Sequence, residues 1–511
     1  MFLTLVGLKI ADRNKKFDGD YNRWRKLNLI LQEVQKNYVD TIDMAGMTDA
    51  AVTAALAKLD PHSVYLPPVE LEESDSELAG NFEGIGITFN VPNDTAIVLS
   101  VIPGGPSEKA GLLPGDRVVR VDERVIAGKK TPQDSMIRLM KGPSGTKVKI
   151  TVSRDGTIIP FDIVRDKIPV HCVDAAFMIN DTTGYIKLSK FSRNTFQEFT
   201  QAADKLRAQG MTRLLFDLRD NTGGYLDQAL LLSNEFLSKG DLVVYMEGLH
   251  RDRQDFKADG RGYLKDIQIS VLIDEVSASS SEIFAGAIQD NDRGVIVGRR
   301  SFGKGLVQEP INFTDGSGIR LTVARFHTPS GRCIQKPYGD DYDYDIYERY
   351  VNGEMVSADS MKVDTTAVYY TKKGRPVYGG GGIIPDIFVP IDTTKATDFF
   401  IRCNKKATTM RFASAMFDKY KAVLPTIHDF SRLERYFEEI ALDRQFLDFA
   451  ARVDGIRPAP GEWEESCEYM MPQINALVGR YSKLDEEAFY RFYLPVDETI
   501  KTALENKSVV E

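Results

Sequence analysis

A run of serines marks the junction between two segments of different character. The apolar segment SVLIDE is typical of a buried strand, SEIFAGAIQD is typical of a helix, and Ser279 lies at their junction. Free N–H groups at a helix N-terminus stabilise developing negative charge, so a serine there could serve as a nucleophile. Residues 279–282 also fit the S-x-x-E capping box, in which the serine only caps the helix. This segment alone leaves both interpretations open.

A serine nucleophile needs a base, and the nearest candidate is a lysine. None of the five histidines falls in a triad motif such as GxSxG or a GDSGG-like run. Lys304, in RRSFGKGLVQ, follows the apolar run GVIVG and stands between two glycines. A lysine accepts a proton only when its ammonium is desolvated enough to lose its own, and burial favours that loss. An exposed lysine in a glycine loop would be inert, so the hypothesis requires burial.

Three glycine-rich segments also invite a functional interpretation. Gly223 and Gly224, in DLRDNTGGYL, permit unusual φ angles, so this loop could present an N–H group to a reacting carbonyl or merely turn the chain. In EGIGITF, residues 83–89, two glycines precede a strand; such loops hold a terminal carboxylate, and the strand edge accepts a peptide. Residues 298–304 match a Walker A loop, but Gly305 replaces its Ser or Thr, which disfavours nucleotide binding.

Four blocks of different pattern carry these residues. Residues 1–75 show helical periodicity, residues 76–165 show short β-type runs separated by Gly and Pro, and residues 166–395 alternate strands with helices. Residues 396–511 return to amphipathic helix patterns, expected to serve packing or oligomerisation. The alternating block predicts an α/β domain with a mainly parallel sheet, whose buried strands are continuously apolar.

Composition narrows the possible functions. A chain of 511 residues is too long for one core, so several domains are expected. A formal net charge of −9 without a dense Lys/Arg run argues against nucleic acid as a partner. The four cysteines show no CxxC spacing and the histidines form no cluster, so neither a disulfide framework nor a metal site is predicted. The apolar start MFLTLVGLKI is too short to span a bilayer and lacks the basic region and the cleavage site of an export signal, which leaves open the remnant of such a signal or an ordinary terminus.

Six segments together resemble the C-terminal processing proteases, also called tail-specific proteases, over roughly residues 55–395. They occur in that family's order: LDPHSVYL (59–66), DLRDNTGG (217–224), SASSSEIFAGAIQD (277–290), SFGKGLVQ (301–308), GIRLTVARFHTPSGRCIQ (318–335) and GGIIPDIFV (381–389). The resemblance implies an α/β serine protease core in residues 166–395, with an inserted PDZ domain of β-rich α+β type in residues 76–165 and helical regions at both ends.

The same resemblance implies a catalytic group. Ser279 corresponds to the nucleophile, Lys304 to its base and Gln308 to the glutamine that orients the lysine. Asp290, at the end of the same helix, matches an aspartate with a supporting role. Ser280 stands where the family usually has alanine, but its backbone N–H is unchanged, so this departure is expected to matter little.

The resemblance also implies two binding sites. The oxyanion would be held by the N–H of Ser280 and by that of Gly224, with Gly223 as the alternative. The tail of a substrate would be held in the PDZ domain by the loop of Gly84, Ile85, Gly86 and Ile87. Some relatives sense the tail with an arginine at the end of the PDZ helix; Lys141 stands there and lacks the bidentate fork of a guanidinium.

The function implied is that of a serine endopeptidase with a Ser/Lys dyad. It would cleave proteins or peptides whose accessible, apolar C-terminal tails bind the PDZ domain, without a metal, nucleotide or other cofactor. The alternative is a non-catalytic PDZ adaptor on a protease-like scaffold. The family is typical of bacterial cell envelopes and of chloroplast lumens. Because the sequence shows no Ser/Arg-rich transit segment, a location in the bacterial periplasm or cell envelope is expected. Dimerisation through the terminal helices and association with a membrane are left open.

Overall fold

The computed structural model describes residues 21–91, 94–339, 342–392 and 397–506, so the apolar start of the chain lies outside the described residues. The described residues fall into two compact units, one of the residues up to Pro68 with Pro310–Leu321 and one of Val69–Glu309 with the residues from Thr322 onward.

Helices and strands are numbered here in chain order. The helices are α1 (Tyr21–Asn37), α2 (Met44–Leu56), α3 (Pro68–Leu78), α4 (Pro106–Ala110), α5 (Gln133–Met140), α6 (Thr195–Ala208), α7 (Leu226–Phe236), α8 (Ser280–Asp290), α9 (Asp345–Val351), α10 (Asp398–Lys405), α11 (Thr408–Tyr420), α12 (Phe430–Glu439), α13 (Leu442–Val453), α14 (Glu462–Gly479), α15 (Glu486–Tyr493) and α16 (Glu498–Glu505). The strands are β1 (Val64–Leu66), β2 (Asn81–Gly84), β3 (Ile87–Asn90), β4 (Ala96–Val101), β5 (Arg117–Val121), β6 (Arg124–Val125), β7 (Lys147–Arg154), β8 (Thr157–Val164), β9 (Asp166–Pro169), β10 (Val173–Met178), β11 (Thr183–Leu188), β12 (Arg213–Asp217), β13 (Leu242–Gly248), β14 (Arg251–Lys257), β15 (Gln268–Ile273), β16 (Val295–Gly298), β17 (Leu306–Asn312), β18 (Gly318–His327), β19 (Val368–Tyr370), β20 (Pro376–Tyr378) and β21 (Ile387–Phe388).

The smaller unit contains α1, α2 and β1. Helix α2 begins after Asp43, whose carboxylate accepts a hydrogen bond from the N–H of Gly46 at 3.0 Å and so satisfies a free N–H of the first turn. Strand β1 pairs antiparallel with residues 318–320. Tyr65 of this strand donates to the carboxylate of Asp49 at 2.8 Å, which ties the strand to α2.

The block predicted to be a PDZ domain is a small β-rich body. Its antiparallel sheet has the order β3-β4-β5-β7-β8, with β6 paired to β5, and encloses a core of Ile, Val, Leu and Met side chains. Strands β2 and β9, which enter and leave this body, pair antiparallel from Asn81↔Pro169 to Gly84↔Asp166. The domain is therefore inserted into the chain through a two-stranded ribbon.

The central sheet of the larger unit has the order β10-β11-β12-β15-β16-β21. The strands from β11 to β21 are parallel, and only β10, at one edge, is antiparallel to its neighbour. Every residue of β12 and β16 is buried, which explains their continuous apolar sequences. The carboxyl ends of parallel strands meet at one edge of a sheet. The loops that follow β12 and β15 therefore lie side by side.

An antiparallel hairpin in the same unit was not predicted from the sequence. Strands β13 and β14 pair with each other, and β13 also pairs with residues 325–327 of β18. Strand β14, with the sequence RDRQDFK, is exposed except for the half-buried Phe256. A strand at an exposed edge needs no apolar run, and this one therefore lacks the pattern by which buried strands are recognised.

The helices after residue 397 serve two different cores. Helices α10 to α15 enclose an aromatic core that includes Phe399, Phe412 and Phe446. Helix α16 packs instead on the central sheet, where Ile500 joins Leu215 and other residues of the strands. Among the described helices, none combines the length and the apolar character that crossing a bilayer would require.

Candidate active site

Ser279 lies in a strained turn between β15 and α8. Its backbone has φ 56° and ψ −114°, a conformation that residues other than glycine rarely adopt and that costs about 1–3 kcal/mol. The next residue, Ser280, begins α8, and every residue of this helix is buried, whereas Ser279 is half-buried. The hydroxyl of Ser279 is thus carried by a strained strand-to-helix turn, the type of turn that presents the nucleophile in α/β-hydrolases.

One buried carboxylate joins this turn to the loop of Lys304. Oε2 of Glu282 accepts hydrogen bonds from the N–H of Ser279 at 2.8 Å and the N–H of Lys304 at 2.9 Å, so these two nitrogens lie within about 6 Å of each other. Oε1 accepts from the N–H of Gly303 at 2.7 Å and from the hydroxyl of Ser301 at 2.5 Å. Glu282 therefore makes the glutamate half of the predicted capping box and, in addition, binds the lysine loop.

The environment of Glu282 suits a charged carboxylate. All four of its partners are donors, and a carboxylate without a proton is the form that can accept from all of them. Burial raises the pKa of Glu282 above the ordinary value, and the Ser301 hydroxyl and the three backbone N–H groups offset part of that rise. Loss of any donor would leave the buried charge less compensated.

The Gly-Gly loop packs directly against Ser279. A Cβ atom on Gly223 would lie 2.8 Å from Cβ of Ser279, so only glycine allows this approach. The N–H of Gly223 donates to Asn221 Oδ1 at 2.9 Å, whereas the carbonyl of Gly224 accepts from the hydroxyl of Ser280 at 2.9 Å. In the part of the chain that the structure describes, no hydrogen bond uses the N–H of Gly224 or Ser280.

Buried charged side chains fix the end of β12, where the Gly-Gly loop begins. The carboxylate of Asp217, the last residue of β12, accepts from Tyr185 at 2.7 Å and from Arg219 at 2.6 Å, and lies 3.5 Å from the ammonium of Lys187. Arg219 also pairs with Asp497 at 2.8 Å. Burial alone would raise the pKa of Asp217, but the Arg219 guanidinium and the Lys187 ammonium outweigh it and hold that pKa well below its usual range.

The remaining predicted members of the catalytic group take different positions. Lys304 is half-buried, and Gln308 follows it on β17 and is also half-buried. Asp290 ends α8, about 15 Å along the helix axis from its first residue. Its carboxylate accepts from the buried Arg332 at 2.7 Å and from the N–H of Ser330 at 3.1 Å. Asp290 therefore anchors the far end of α8 and does not touch Ser279.

The predicted tail-binding loop lies between β2 and β3. Gly86 has φ 74°, and the carbonyl of Ile85 accepts from the N–H of Ser107 at 3.0 Å and from its hydroxyl at 2.6 Å. Lys141 follows the last residue of α5, and a Cβ atom on Gly84 would lie 3.6 Å from its Cα. The ammonium of Lys141 lies 5.8 Å from the ring centroid of Phe82. The end of α5 and the side chain of Lys141 therefore lie beside the predicted tail-binding loop.

Neither the cysteines nor a metal offers another centre in the described residues. The four cysteines are free. Burial raises the pKa of Cys172 and of Cys403 to about 11, which keeps both as thiols at neutral pH. Within the described ranges, no group of three His, Cys, Asp or Glu side chains could hold a metal ion.

The sequence matches two family models. They are Peptidase family S41, over residues 182–346, and the PDZ domain, over residues 84–164. It is also 35% identical over 339 residues to a carboxy-terminal-processing protease of Bartonella bacilliformis, in an alignment that covers 65% of this chain and 77% of that relative. The chain belongs to the carboxy-terminal processing proteases. The family model matched is that of a peptidase family, and the relatives matched are named as proteases.

Other carboxy-terminal processing proteases match over a similar share of the chain. A probable CtpA-like serine protease of Staphylococcus epidermidis is 33% identical over 313 residues, which are 61% of this chain and 63% of that relative. The chain thus spans less than two thirds of the staphylococcal relative. The solved photosystem II D1 C-terminal processing protease has 28% sequence identity and a TM-score of 0.37, and covers 62% of this chain and 84% of that chain.

Sequence reasoning missed two features of this candidate site. The sequence predicted only a local role for Glu282, as the glutamate of the capping box. It did not show that the same carboxylate also accepts a hydrogen bond from the lysine loop. Arg349 of α9, which binds the lysine loop, carries no motif at all. A hydrogen bond from a distant side chain to a backbone carbonyl requires no particular residue spacing, so no sequence motif predicts it.

Proposed function

We propose that this carboxy-terminal processing protease cleaves peptide bonds with Ser279 as the nucleophile and Lys304 as the general base. The observation that carries the proposal is the single carboxylate of Glu282, which binds the backbone N–H groups of both residues. A nucleophile and a base must lie within hydrogen-bond reach of each other, and two backbones about 6 Å apart allow their side chains to meet.

The reaction begins with attack on the substrate carbonyl. The hydroxyl oxygen of Ser279 forms a bond to the carbonyl carbon while neutral Lys304 accepts the hydroxyl proton. The carbonyl oxygen becomes an oxyanion, held by the N–H of Ser280 at the start of α8 and by that of Gly224. Gly223 is the weaker candidate for the second donor because Asn221 already accepts from its N–H.

The remaining steps return the enzyme to its starting state. Protonated Lys304 gives its proton to the leaving amine as the C–N bond breaks, which leaves an ester on Ser279. Water then attacks the ester with Lys304 as the base, and the new C-terminal acid departs. Gln308 orients the lysine side chain, and Asp290 supports α8 through Arg332. No step requires a metal or an organic cofactor.

Recognition of the substrate is assigned to the PDZ domain. The N–H groups of residues 84–87 bind the carboxylate of an apolar C-terminal tail, and the edge of β3 pairs with the tail as an added strand. The position of Lys141 beside this loop supports a role for its ammonium in attracting the carboxylate. The substrates are thus proteins with accessible C-termini, in keeping with a place in the bacterial cell envelope.

Two variants test the catalytic assignment. We expect Ser279→Ala and Lys304→Ala each to lower kcat/KM by more than about 1,000-fold on a fluorogenic peptide with an apolar free C-terminus, because each removes an obligatory group. Thermal unfolding shows whether the variants remain folded. Lys372→Ala, which removes an exposed lysine paired with Asp241, is the matched control and is expected to keep its activity.

Turnover by either Ser279→Ala or Lys304→Ala at the wild-type rate would refute the assignment. Peptide binding by the wild type without any product would favour the adaptor.

A further inference from the structure

The loop that carries Lys304, residues 300–305, is held on two sides. Its inner side faces the nucleophile turn: the N–H of Phe302 donates to the carbonyl of Ser277 at 3.0 Å, and Glu282 binds the next two N–H groups. Its outer side faces a segment further along the chain. There the carbonyl of Gly303 accepts from the N–H of Lys336 at 2.9 Å, and the N–H of Gly305 donates to Gln335 Oε1 at 2.9 Å.

Arg349 also contacts the outer side of the loop. This residue of α9 has only 5% of its surface exposed. Its guanidinium donates through Nη2 to the carbonyl of Arg300 at 2.6 Å and through Nη1 to the carbonyl of Ser301 at 3.1 Å. The planar guanidinium thus spans two successive carbonyls of the loop, a geometry that the point charge of a lysine does not reproduce.

A shared carboxylate fixes the guanidinium in this position. Glu354 accepts from Nε of Arg349 at 2.9 Å and from Arg300 in a bidentate pair at 2.7 and 2.6 Å. Asp345, on the same helix, lies 4.0 Å from Nη1. Glu354 is buried, so the two arginines together compensate a charge that would be costly alone.

The contacts of Arg349 lead to Ser279 and Lys304 through two residues, Ser301 and Glu282. Arg349 holds the carbonyl of Ser301, and the hydroxyl of Ser301 donates to Glu282 at 2.5 Å. Glu282 in turn binds the N–H groups of Ser279 and Lys304. A shift of the loop near Ser301 therefore moves the backbone of the base relative to the nucleophile.

We propose that Arg349 is a positioning residue for the Ser279–Lys304 pair, acting through the backbone of residues 300–301. The inference rests on the proposed function and goes beyond it, because it extends the protease site to α9. Arg349 does not touch the substrate. It holds the lysine loop at the distance from Ser279 that proton transfer needs.

The experiment compares Arg349→Met and Arg349→Lys with the full-length wild type. Because Arg300 keeps Glu354 paired, Arg349→Met leaves no buried carboxylate without a partner, and the variant is expected to fold. We expect kcat to fall about 10- to 100-fold with KM changed less than about 2-fold, since misplacement of a catalytic group by about 1 Å has effects of that size. The acid limb of the kcat/KM profile should move to higher pH as the relaxed loop exposes the base to water. Arg349→Lys, which can reach one carbonyl, should recover part of kcat.

A matched control separates positioning from general stability. Arg375 is a half-buried arginine of the same part of the chain that pairs with Asp292 at 2.7 Å and Asp386 at 2.6 Å, without contact to the lysine loop. Arg375→Met should lower the melting temperature but keep the wild-type pH profile. The inference is overturned if Arg349→Met keeps the wild-type kcat and profile, or changes only in proportion to its loss of stability, while Ser279→Ala is inactive. An active Ser279→Ala would instead overturn the proposed function.

Discussion

At the scale of single residues, the site depends on the hydrogen bonds of one carboxylate. Glu282 is fully buried and accepts four hydrogen bonds, two on each oxygen. An amide in its place would keep one acceptor oxygen and turn two N–H donors toward groups that are themselves donors. Both the negative charge and the two acceptor oxygens of the carboxylate are therefore required to bind all four donors.

We therefore expect Glu282→Gln to reduce kcat/KM by at least about 100-fold and to destabilise the protein. Each buried donor left without an acceptor costs about 1–3 kcal/mol, and the displaced loop misplaces the base. Peptide cleavage and urea unfolding measure the two effects. Glu275→Gln is the matched control: it removes a half-buried glutamate near the same turn that pairs with Arg299 at 2.7 Å, and should keep its activity. Wild-type cleavage by Glu282→Gln would contradict the role given to this carboxylate.

The residues of the site differ in how far the sequence could predict them. Residue type and position make Ser279 and Lys304 candidates but leave helix capping and an inert lysine open, and only the resemblance of their short motifs to the family implies a nucleophile and its base. The functional contacts of Glu282 join positions on two loops that only the parallel order of β15 and β16 brings together. Hydrogen bonds across a sheet depend on register and loop path, which a single sequence does not display.

At the scale of elements, the sequence patterns were informative where strands are buried on both faces. Apolar runs separated by amphipathic helices indicated the central strands, and β11, β12, β15 and β16 are parallel and buried. The hairpin of β13 and β14 was missed because β14 is polar and exposed. The boundaries of the PDZ insertion follow from the β2–β9 ribbon, a pairing between residues far apart in sequence.

The glycine loop between β2 and β3 gives a prediction about recognition. We expect Gly86→Ala to raise KM for a peptide with a free C-terminus about 10-fold and to leave kcat unchanged. Gly86 has φ 74°, which alanine resists, so the loop shifts and its N–H groups lose the carboxylate. Amidation of the peptide should raise KM of the wild type similarly and have little further effect on the variant.

A second glycine of the PDZ domain controls for backbone strain. Gly128 has φ 69°, with no atom within 4 Å of an added Cβ. Gly128→Ala therefore introduces a backbone strain similar to that of Gly86→Ala, but outside the tail-binding loop. Its KM should equal that of the wild type. If the wild type cleaves peptides with a free and with an amidated C-terminus equally well, this loop does not bind the tail carboxylate.

At the scale of the whole molecule, α16, the last described helix, packs on the central sheet that carries the candidate site. Two arginines, one at the start of β12 and one just after its end, bind the two ends of α16. Arg213 donates to the carbonyls of Ala503, Leu504 and Asn506 at its C-terminal end. At the other end, Arg219 binds Asp497, the N-cap residue, and Arg219 belongs to the loop that carries Gly223 and Gly224. The C-terminal region is therefore connected to the predicted oxyanion site.

Asp497→Asn isolates this connection, because asparagine caps a helix as well as aspartate does but cannot form an ion pair. The wild-type carboxylate accepts from the N–H of Ile500 at 3.1 Å and binds Arg219, so only the second interaction loses its charge. Arg219 retains Asp217, and we expect a loss of about 1–3 kcal/mol in unfolding free energy together with a several-fold lower kcat and an unchanged KM. Asp429→Asn, at the exposed N-cap of α12, changes the same residue type without an ion pair and should alter neither quantity. If Asp497→Asn lowers stability but leaves kcat at the wild-type value, α16 supports the fold alone and does not position the glycine loop.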